Sequence, residues 1–143
     1  MTLPLIAIVT GLTLAGLAGW LINRRSGTLR ETGPASRQLI GAAAALGLSG
    51  SGPTIVHFSA PWCGPCVRVR RVVEQVCAEL ETELEQVAHL EIDLDSRPEV
   101  ARQLAVLSLP TTLIFDATGV QRYRATGVPT ATDLRSALKP LLA

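Results

Sequence analysis

The stretch IVHFSAPWCGPCVRVRR, from Ile55 to Arg71, joins an apolar run to two cysteines that are separated by two residues. The β-branched and apolar residues from Thr54 to Ser59 predict a buried strand. Beyond the cysteines, apolar residues recur every three or four positions, at Val69, Val73, Val76, Leu80 and Leu84. This spacing predicts a long amphipathic helix that begins at the cysteine pair, at Cys63. The two cysteines therefore lie where a strand leads into a helix.

The spacing of Cys63 and Cys66 suits thiol–disulfide exchange, in which a thiolate attacks a disulfide. A helix start stabilises the thiolate of Cys63, because free backbone N–H groups and the helix dipole favour negative charge. Pro65 fits the first turn, since its missing N–H would have had no partner. Cys66 lies in the same turn and can close a disulfide with Cys63. We therefore expect Cys63 to attack a substrate disulfide and Cys66 to resolve the mixed disulfide.

The rest of the chain indicates an α/β domain with six further elements. They are a helix from Ser36 to about Leu46, a strand from Ala88 to Asp95, a short helix, two strands around a turn at Asp116–Gly119, and a helix that opens at Thr132. The short helix is predicted to have Ser96 and Glu99 as a capping box and to hold Val100, Leu104 and Leu107. Strand–helix–strand order implies parallel pairing, and the hairpin adds antiparallel strands. The prediction is a mixed central sheet flanked by helices.

The motif WCGPC, Trp62 to Cys66, resembles the active site of thioredoxin, and the likeness extends over about residues 40–142. LPTT, Leu109 to Thr112, is similar to the cis-proline segment of that family, and Gly127 matches a glycine near its substrate groove. The resemblance implies a thioredoxin fold and a reducing dithiol, with no cofactor beyond the cysteine pair. It implies protein disulfides as substrates and an electron donor such as a thioredoxin reductase. It also implies substrate contacts from Trp62, Gly64, Pro65, Leu109, Pro110, Thr111 and Gly127.

His57 departs from the family, in which a buried aspartate at this position is assigned to proton transfer with the resolving cysteine. In the same resemblance, Glu91 on a neighbouring strand stands where the family has a lysine beside that aspartate. A buried charge is costly when unpaired and is tolerated when paired, so Glu91 is the expected partner of His57. We hypothesise that His57 and Glu91 together replace the acid and the base of the family, with His57 taking the proton of Cys66. Imidazole can do so because its reference pKa is about 6.5. The alternative is a neutral core histidine with one hydrogen bond.

Three other side chains have plainer interpretations. A zinc site built on Cys63 and Cys66 would need ligands from Cys77, His57 or His89, and these form no second paired motif. The sequence therefore predicts no metal. Cys77 falls at the spacing of the buried helix positions, which indicates an inert core thiol. His89 is interpreted as an ordinary surface or edge-strand histidine.

The segment from Leu3 to Ile22 contains no charged residue. As a helix it would span about 30 Å, the thickness of a bilayer's hydrocarbon core. An uncleaved membrane anchor is the favoured interpretation, and a cleaved signal peptide or a buried soluble helix are the alternatives. Arginines at positions 24, 25 and 30 predict an external amino terminus and a cytoplasmic domain. The predicted organisation is an anchor at 1–22, a linker at 23–35 and a thioredoxin-like domain at 36–143.

Small residues recur every four positions in this segment, at Ala7, Gly11, Ala15 and Gly19. On one helix face they would let a membrane partner approach closely. The net charge of +1 gives no strong attraction to nucleic acid.

Three classes of function remain open at this point. The first is a membrane-tethered cytoplasmic reductase. The second is an outward-facing reductase for exported proteins or cytochrome maturation, which the arginines disfavour. The third is a non-catalytic adaptor, which the intact WCGPC motif and the proline segment disfavour.

Overall fold

The structure, a computed structural model, describes residues 2–23, 26–33, 46–48, 52–80 and 87–142. In chain order its elements are α1 (Thr2–Asn23), β1 (Arg30–Glu31), β2 (Thr54–Ser59), α2 (Cys66–Leu80), β3 (Ala88–Asp93), α3 (Pro98–Gln103), β4 (Thr111–Phe115), β5 (Gln121–Thr126) and α4 (Ala131–Leu138), which a 3₁₀ turn (Lys139–Leu141) follows. The helix predicted from Ser36 lies outside the described residues, apart from its last position, Leu46.

Five strands form one mixed sheet in the order β1-β5-β4-β2-β3. β2 runs parallel to β3 and antiparallel to β4, and β5 is antiparallel to both β4 and β1. The predicted mixed sheet is confirmed. All six residues of β2 are buried, because helices cover both faces of the sheet beside it.

Alternate residues of β2 supply two apolar cores. Val56 and Phe58 face α3 and pack with residues of that helix such as Leu104 at its end. Ile55 faces the opposite side and packs with buried side chains of α2 and α4. On α2 these are Val69, Val73, Val76, Cys77 and Leu80, as the helical spacing predicted. The end of β2 is thereby held rigidly where the cysteine pair follows it.

The capping box predicted at Ser96 and Glu99 is wrong. α3 begins at Pro98, whose fixed φ suits a first helical position, and its N-cap, Arg97, makes no side-chain cap hydrogen bond. Leu107 also lies outside this helix and is 94 % exposed. The chain turns away after α3, where Ala105 adopts a φ of 49°.

The last helix begins at Ala131, one residue before the predicted Thr132. Its N-cap is Thr130, whose hydroxyl accepts a hydrogen bond from the backbone N–H of Asp133 at 3.1 Å. The turn between β4 and β5 is as predicted. Asp116 fixes it by accepting hydrogen bonds from the backbone N–H groups of Thr118 and Val120.

Part of the predicted linker belongs to the sheet. Arg30 and Glu31 form β1 on the outer edge of β5. Just before it, Gly27 lies at φ 89°, and a Cβ there would overlap the carbonyl oxygen of Val128. Gly27 thus has two reasons to be glycine, its positive φ and the close approach of another backbone.

α1 is a helix of 22 residues with an apolar composition. Its described side chains, from Ile6 to Ile22, are all exposed. A search of the described residues finds no helix that is long and apolar enough to cross a membrane.

Candidate active site

Cys63 and Cys66 form a disulfide, with their Cα atoms 5.5 Å apart. The chain turns directly after β2, where the N–H of Cys63 donates to the carbonyl of Ala60 at 3.0 Å. Both cysteines are buried and pack with Ala60 and Leu109. The Sγ atom of Cys66 lies 3.9 Å from the carbonyl oxygen of Phe58. The pair thus sits in an apolar pocket at the end of the central strand.

The helix that follows the pair begins at Cys66, not at Cys63 as predicted. Pro65 precedes it, and its carbonyl accepts hydrogen bonds from the N–H groups of Arg68 and Val69. Cys63 therefore lies in a turn three residues before the first helical residue. Cys63 thus lies just outside the amino-terminal end of the helix, the end whose dipole favours negative charge.

The predicted proline segment lies beside the cysteines. The Leu109–Pro110 peptide bond is cis, as the resemblance implied. Leu109 packs on the cysteine cluster, and the carbonyl of Pro110 accepts a hydrogen bond from the N–H of Gly127 at 2.8 Å. Thr111 is fully buried and donates its hydroxyl to the carbonyl of Ser108. The structure thus brings Leu109, Pro110 and Gly127 together, while the Thr111 hydroxyl is engaged within its own loop.

An exposed rim borders the pair on the other side. Gly64 and Pro65 are exposed, and Trp62 is 67 % exposed. The indole Nε1–H of Trp62 donates to Asp95 Oδ2 at 3.0 Å, which fixes the ring beside Cys63. Asp95 was missed as a site residue, although it ends the motif IDLD.

His57 and Glu91 lie close together, as predicted. They are register partners on β2 and β3, and His57 Nε2 lies 3.5 Å from Glu91 Oε1. His89 lies on β3, an edge strand, which agrees with one of the two interpretations of this histidine. It is also a partner of His57, which was not predicted: its Nε2 lies 2.9 Å from His57 Nδ1, and the two ring planes are 19° apart. The alternation of β3 contained this signal, because it puts His89 and Glu91 on one face.

Two further residues hold Glu91. Arg70 on α2 donates to both of its carboxylate oxygens, at 2.7 and 2.6 Å, and the Ser59 hydroxyl donates to Oε1 at 2.7 Å. The hydrogen bonds from Arg70 lower the pKa of Glu91 to about 2, with Ser59 and the nearby His57 adding to the effect. Glu91 is therefore ionised at neutral pH.

Burial controls the protonation of His57. Desolvation lowers its pKa to about 4, although Glu91 opposes the shift. Burial also lowers the pKa of His89. His57 is consequently neutral at pH 7 and able to accept a proton. No hydrogen bond joins it to Cys63 or Cys66, all three of which the structure describes, so any proton transfer between them is indirect.

A cleft opens between this polar cluster and the cysteines. Its volume is about 430 Å³, and it is lined by Ser59, Ala60, Pro61, Arg70, Glu91 and Asp93. Ala60 contacts the cysteines on one side, and Glu91 contacts His57 on the other. His57, Cys63 and Cys66 are themselves buried and do not line the cleft, which borders them through Ala60 and Glu91.

Arg124 on β5 holds the loop that precedes the proline segment. The guanidinium of Arg124 donates to the carbonyl oxygens of Leu104 and Ala105, which begin the loop that leads to Leu109 and Pro110. Burial lowers the pKa of Arg124. Nothing in the sequence around Arg124 indicated this long-range contact.

In the part of the chain that the structure describes, no group of three or more histidine, cysteine or acidic residues could hold a metal ion.

A sequence model of the thioredoxin family, "Thioredoxin", matches residues 47–140. The chain belongs to the thioredoxin family. Among curated thioredoxins, that of Mycolicibacterium smegmatis is 42 % identical over 76 residues, which cover 52 % of this chain and 67 % of the relative. That of Mycobacterium bovis is 46 % identical over 68 residues, which cover 48 % of this chain and 56 % of the relative. The chain thus spans between about half and two thirds of these thioredoxins.

Solved thioredoxin structures agree with the fold. A chloroplastic thioredoxin z is 28 % identical, with a TM-score of 0.56 over 73 % of this chain and 88 % of that one. A thioredoxin-2 from the malaria parasite protein secretion machinery is 23 % identical, with a TM-score of 0.54 over 62 % of this chain and 82 % of that one, and it supports the fold alone. Family membership and the Cys63–Cys66 disulfide together support a thiol–disulfide oxidoreductase.

Proposed function

We propose that this thioredoxin-family protein is a disulfide reductase held at a membrane, which reduces protein disulfides on the cytoplasmic side. The main support for the redox activity is the Cys63–Cys66 disulfide, which packs on Leu109 of the cis-proline segment. A thioredoxin reductase or a comparable dithiol donor would return the pair to the reduced state.

The reaction proceeds in two exchange steps. The thiolate of Cys63 attacks one sulfur of the substrate disulfide, and the other substrate sulfur leaves as a thiolate that takes a proton from solvent. Cys66 then loses its proton, and its thiolate attacks the Sγ of Cys63. The bond between Cys63 and the substrate breaks, the second substrate sulfur leaves as a thiolate that takes a proton from solvent, and the Cys63–Cys66 disulfide forms. Two electrons pass from the cysteine pair to the substrate.

His57 is the proposed acceptor of the proton that Cys66 loses. It is buried and neutral at pH 7, and it precedes Phe58, whose carbonyl oxygen lies 3.9 Å from the Cys66 sulfur. Glu91 would stabilise the resulting imidazolium from 3.5 Å. Because no hydrogen bond joins His57 to Cys66, the proton would travel through water, for which the neighbouring cleft that Ser59, Ala60 and Glu91 line is the proposed source.

The exposed rim and the proline segment are the proposed substrate groove. Trp62, Gly64 and Pro65 form one wall, and Leu109, Pro110 and Gly127 form the other. Thr111 would contribute through its backbone, since its side chain is buried.

The proposed tether is α1. Its large apolar side chains are exposed, with Leu12 at 69 % and Ile22 at 73 %, and so extensive an apolar surface is typical of contact with lipid or with another protein. The uncharged run from Leu3 to Ile22 and the arginines after it support a cytoplasmic domain. Ala7, Gly11, Ala15 and Gly19 are the proposed contact with a membrane partner.

Two experiments test the proposal. Reduction of a protein disulfide such as that of insulin is expected of the full chain, to be lost in Cys63→Ser, and to stall as a trapped mixed disulfide in Cys66→Ser. A wild-type chain that reduces nothing would instead indicate the adaptor. Cell fractionation with a reporter at the carboxyl terminus tests the tether. An external reporter would support the outward-facing reductase, and a soluble chain would remove the membrane from the proposal.

A further inference from the structure

The chain has only two histidines, and they are in contact. His57 is fully buried on the central strand, whereas His89 is half-buried on β3, which lies at one end of the sheet. Their rings are 5.1 Å apart between centroids, and 2.9 Å separates Nδ1 of His57 from Nε2 of His89. One of these two nitrogens must donate a hydrogen to the other.

The neighbours of His57 determine which nitrogen donates. Its Nε2 faces Glu91 Oε1 at 3.5 Å, and Arg70 and Ser59 keep that carboxylate ionised. A bare Nε2 lone pair would point at an anion, so the favourable tautomer of His57 carries its hydrogen on Nε2. Its Nδ1 is then an acceptor, and the Nε2–H of His89 is the donor.

We propose that His89 is a positioning residue for the resolving step: it sets the tautomer of His57 and is the group through which protons enter and leave that buried ring. This inference rests on the proposed role of His57 as the proton acceptor for Cys66. Other groups around the pair do not fill the role. Glu91 holds no proton at neutral pH, while Arg70 and Glu74 on α2 act on the two rings only through their charge.

In this relay Cys66 gives its proton to water, and Nδ1 of His89 takes one proton from solvent. The Nε2 proton of His89 moves along the 2.9 Å hydrogen bond to Nδ1 of His57. His57 becomes an imidazolium with both nitrogens protonated, and His89 stays neutral. The net change is one proton from Cys66 to His57, and no direct contact between the two is needed.

The tautomers can be measured in the wild-type protein without any substitution. Long-range ¹H–¹⁵N spectra of histidine-labelled full chain in detergent contain only these two rings. At pH 7.5 we expect both rings to carry hydrogen on Nε2, with Nδ1 bare. A His57 ring protonated on Nδ1 would overturn the inference.

The relay is tested by kinetics with His89→Gln, whose amide can donate a hydrogen bond but cannot pass a proton on. The reduced protein reacts with a dithiobis-nitrobenzoate reagent, which releases one chromophore when Cys63 attacks and a second when Cys66 resolves. All proteins carry Cys77→Ala so that only the pair reacts. We expect His89→Gln to slow the second release roughly tenfold at pH 7 and to change its pH dependence, while the first release is unchanged.

The control and the double variant separate a relay from general damage. Ala88→Ser, an exposed neighbour on β3, should leave both releases unchanged. His57→Gln should slow the second release at least as much as His89→Gln, and the double variant should be no slower than His57→Gln alone. Additive losses, or an unchanged second release in His89→Gln, would overturn the relay. If the wild-type protein shows no second release at all, the proposed function has failed instead.

Discussion

Lowering the pH should destabilise the protein through His57 at pH values well above those at which the carboxylates of the protein are protonated. In the folded state, burial lowers the pKa of this histidine to about 4, whereas an unfolded chain has the reference pKa of about 6.5. Between these two values the unfolded state binds more protons than the folded state. The stability associated with a neutral His57 is therefore fully present above pH 6.5 and is lost as the pH falls toward 4.

The size of the effect follows from the two pKa values. A full separation of two and a half units corresponds to about 3 kcal/mol, at about 1.4 kcal/mol per unit. Between pH 7.5 and pH 5, the part that is lost is about 2 kcal/mol. Protonation of Glu91 contributes little to the loss of stability between pH 7.5 and pH 5. Its pKa is lowered by Arg70 from an ordinary carboxyl value to about 2, so its stabilisation is lost only as the pH falls from about 4.5 toward 2.

Urea unfolding of the oxidised full chain in mild detergent, followed by circular dichroism at pH 7.5, 6 and 5, measures this loss. His57→Gln removes the titration, so the fall in unfolding free energy between pH 7.5 and 5 should shrink by about 2 kcal/mol relative to the wild-type fall. A smaller residual fall is expected from His89, whose pKa burial also lowers. Equal falls in the wild-type protein and in His57→Gln would refute the assignment of a buried neutral imidazole.

Three further predictions concern other parts of the fold. Arg124→Gln should lower the free energy of unfolding, measured by thermal denaturation, by about 2 kcal/mol, and it should raise the KM for protein disulfides. The reason is that the substitution releases the loop before the cis proline. The control Arg122→Gln should change neither quantity. Gly27→Ala should lower the free energy of unfolding by about 2 kcal/mol or more, because Gly27 has a positive φ and an added Cβ would overlap a carbonyl oxygen. Gly33→Ala, whose added Cβ would meet open space, should leave the same quantity nearly unchanged. Trp62→Phe should change stability by less than about 1 kcal/mol but raise KM severalfold, and an unchanged KM would remove Trp62 from the substrate groove.

Features with a local signal could be predicted from the sequence. The six residues of β2 match the predicted strand because a short run rich in β-branched and apolar residues strongly favours a buried strand. The hairpin of β4 and β5 follows from its turn residues, and the cysteine spacing alone allows the disulfide. The cis Pro110 came from family resemblance rather than from any physical pattern.

Features that depend on pairing between distant segments could not be predicted. β1 has only two residues, too few for a periodicity, and its position is set by β5 almost a hundred residues later. The contact between His57 and His89 depends on the register of β2 against β3. Arg124 donates to the carbonyl oxygens of Leu104 and Ala105 after α3, a contact that has no local sequence signature. Helix starts were misplaced by one to three residues, since several neighbouring residues can cap equally well.

The cluster around His57 replaces the family's buried acid with a different electrostatic arrangement. At neutral pH both histidines are uncharged, and the negative charge of Glu91 is matched by Arg70, so the cluster is close to neutral before it takes up a proton. An imidazolium at His57 would be attracted by the Glu91 carboxylate at 3.5 Å and repelled by the Arg70 guanidinium. Burial is the main reason that the pKa of His57 lies at about 4, and the charge of Arg70 adds to the shift while Glu91 opposes it. Because an efficient general base has a pKa near the operating pH, the proposed role of His57 depends on Glu91 to stabilise the imidazolium that burial disfavours.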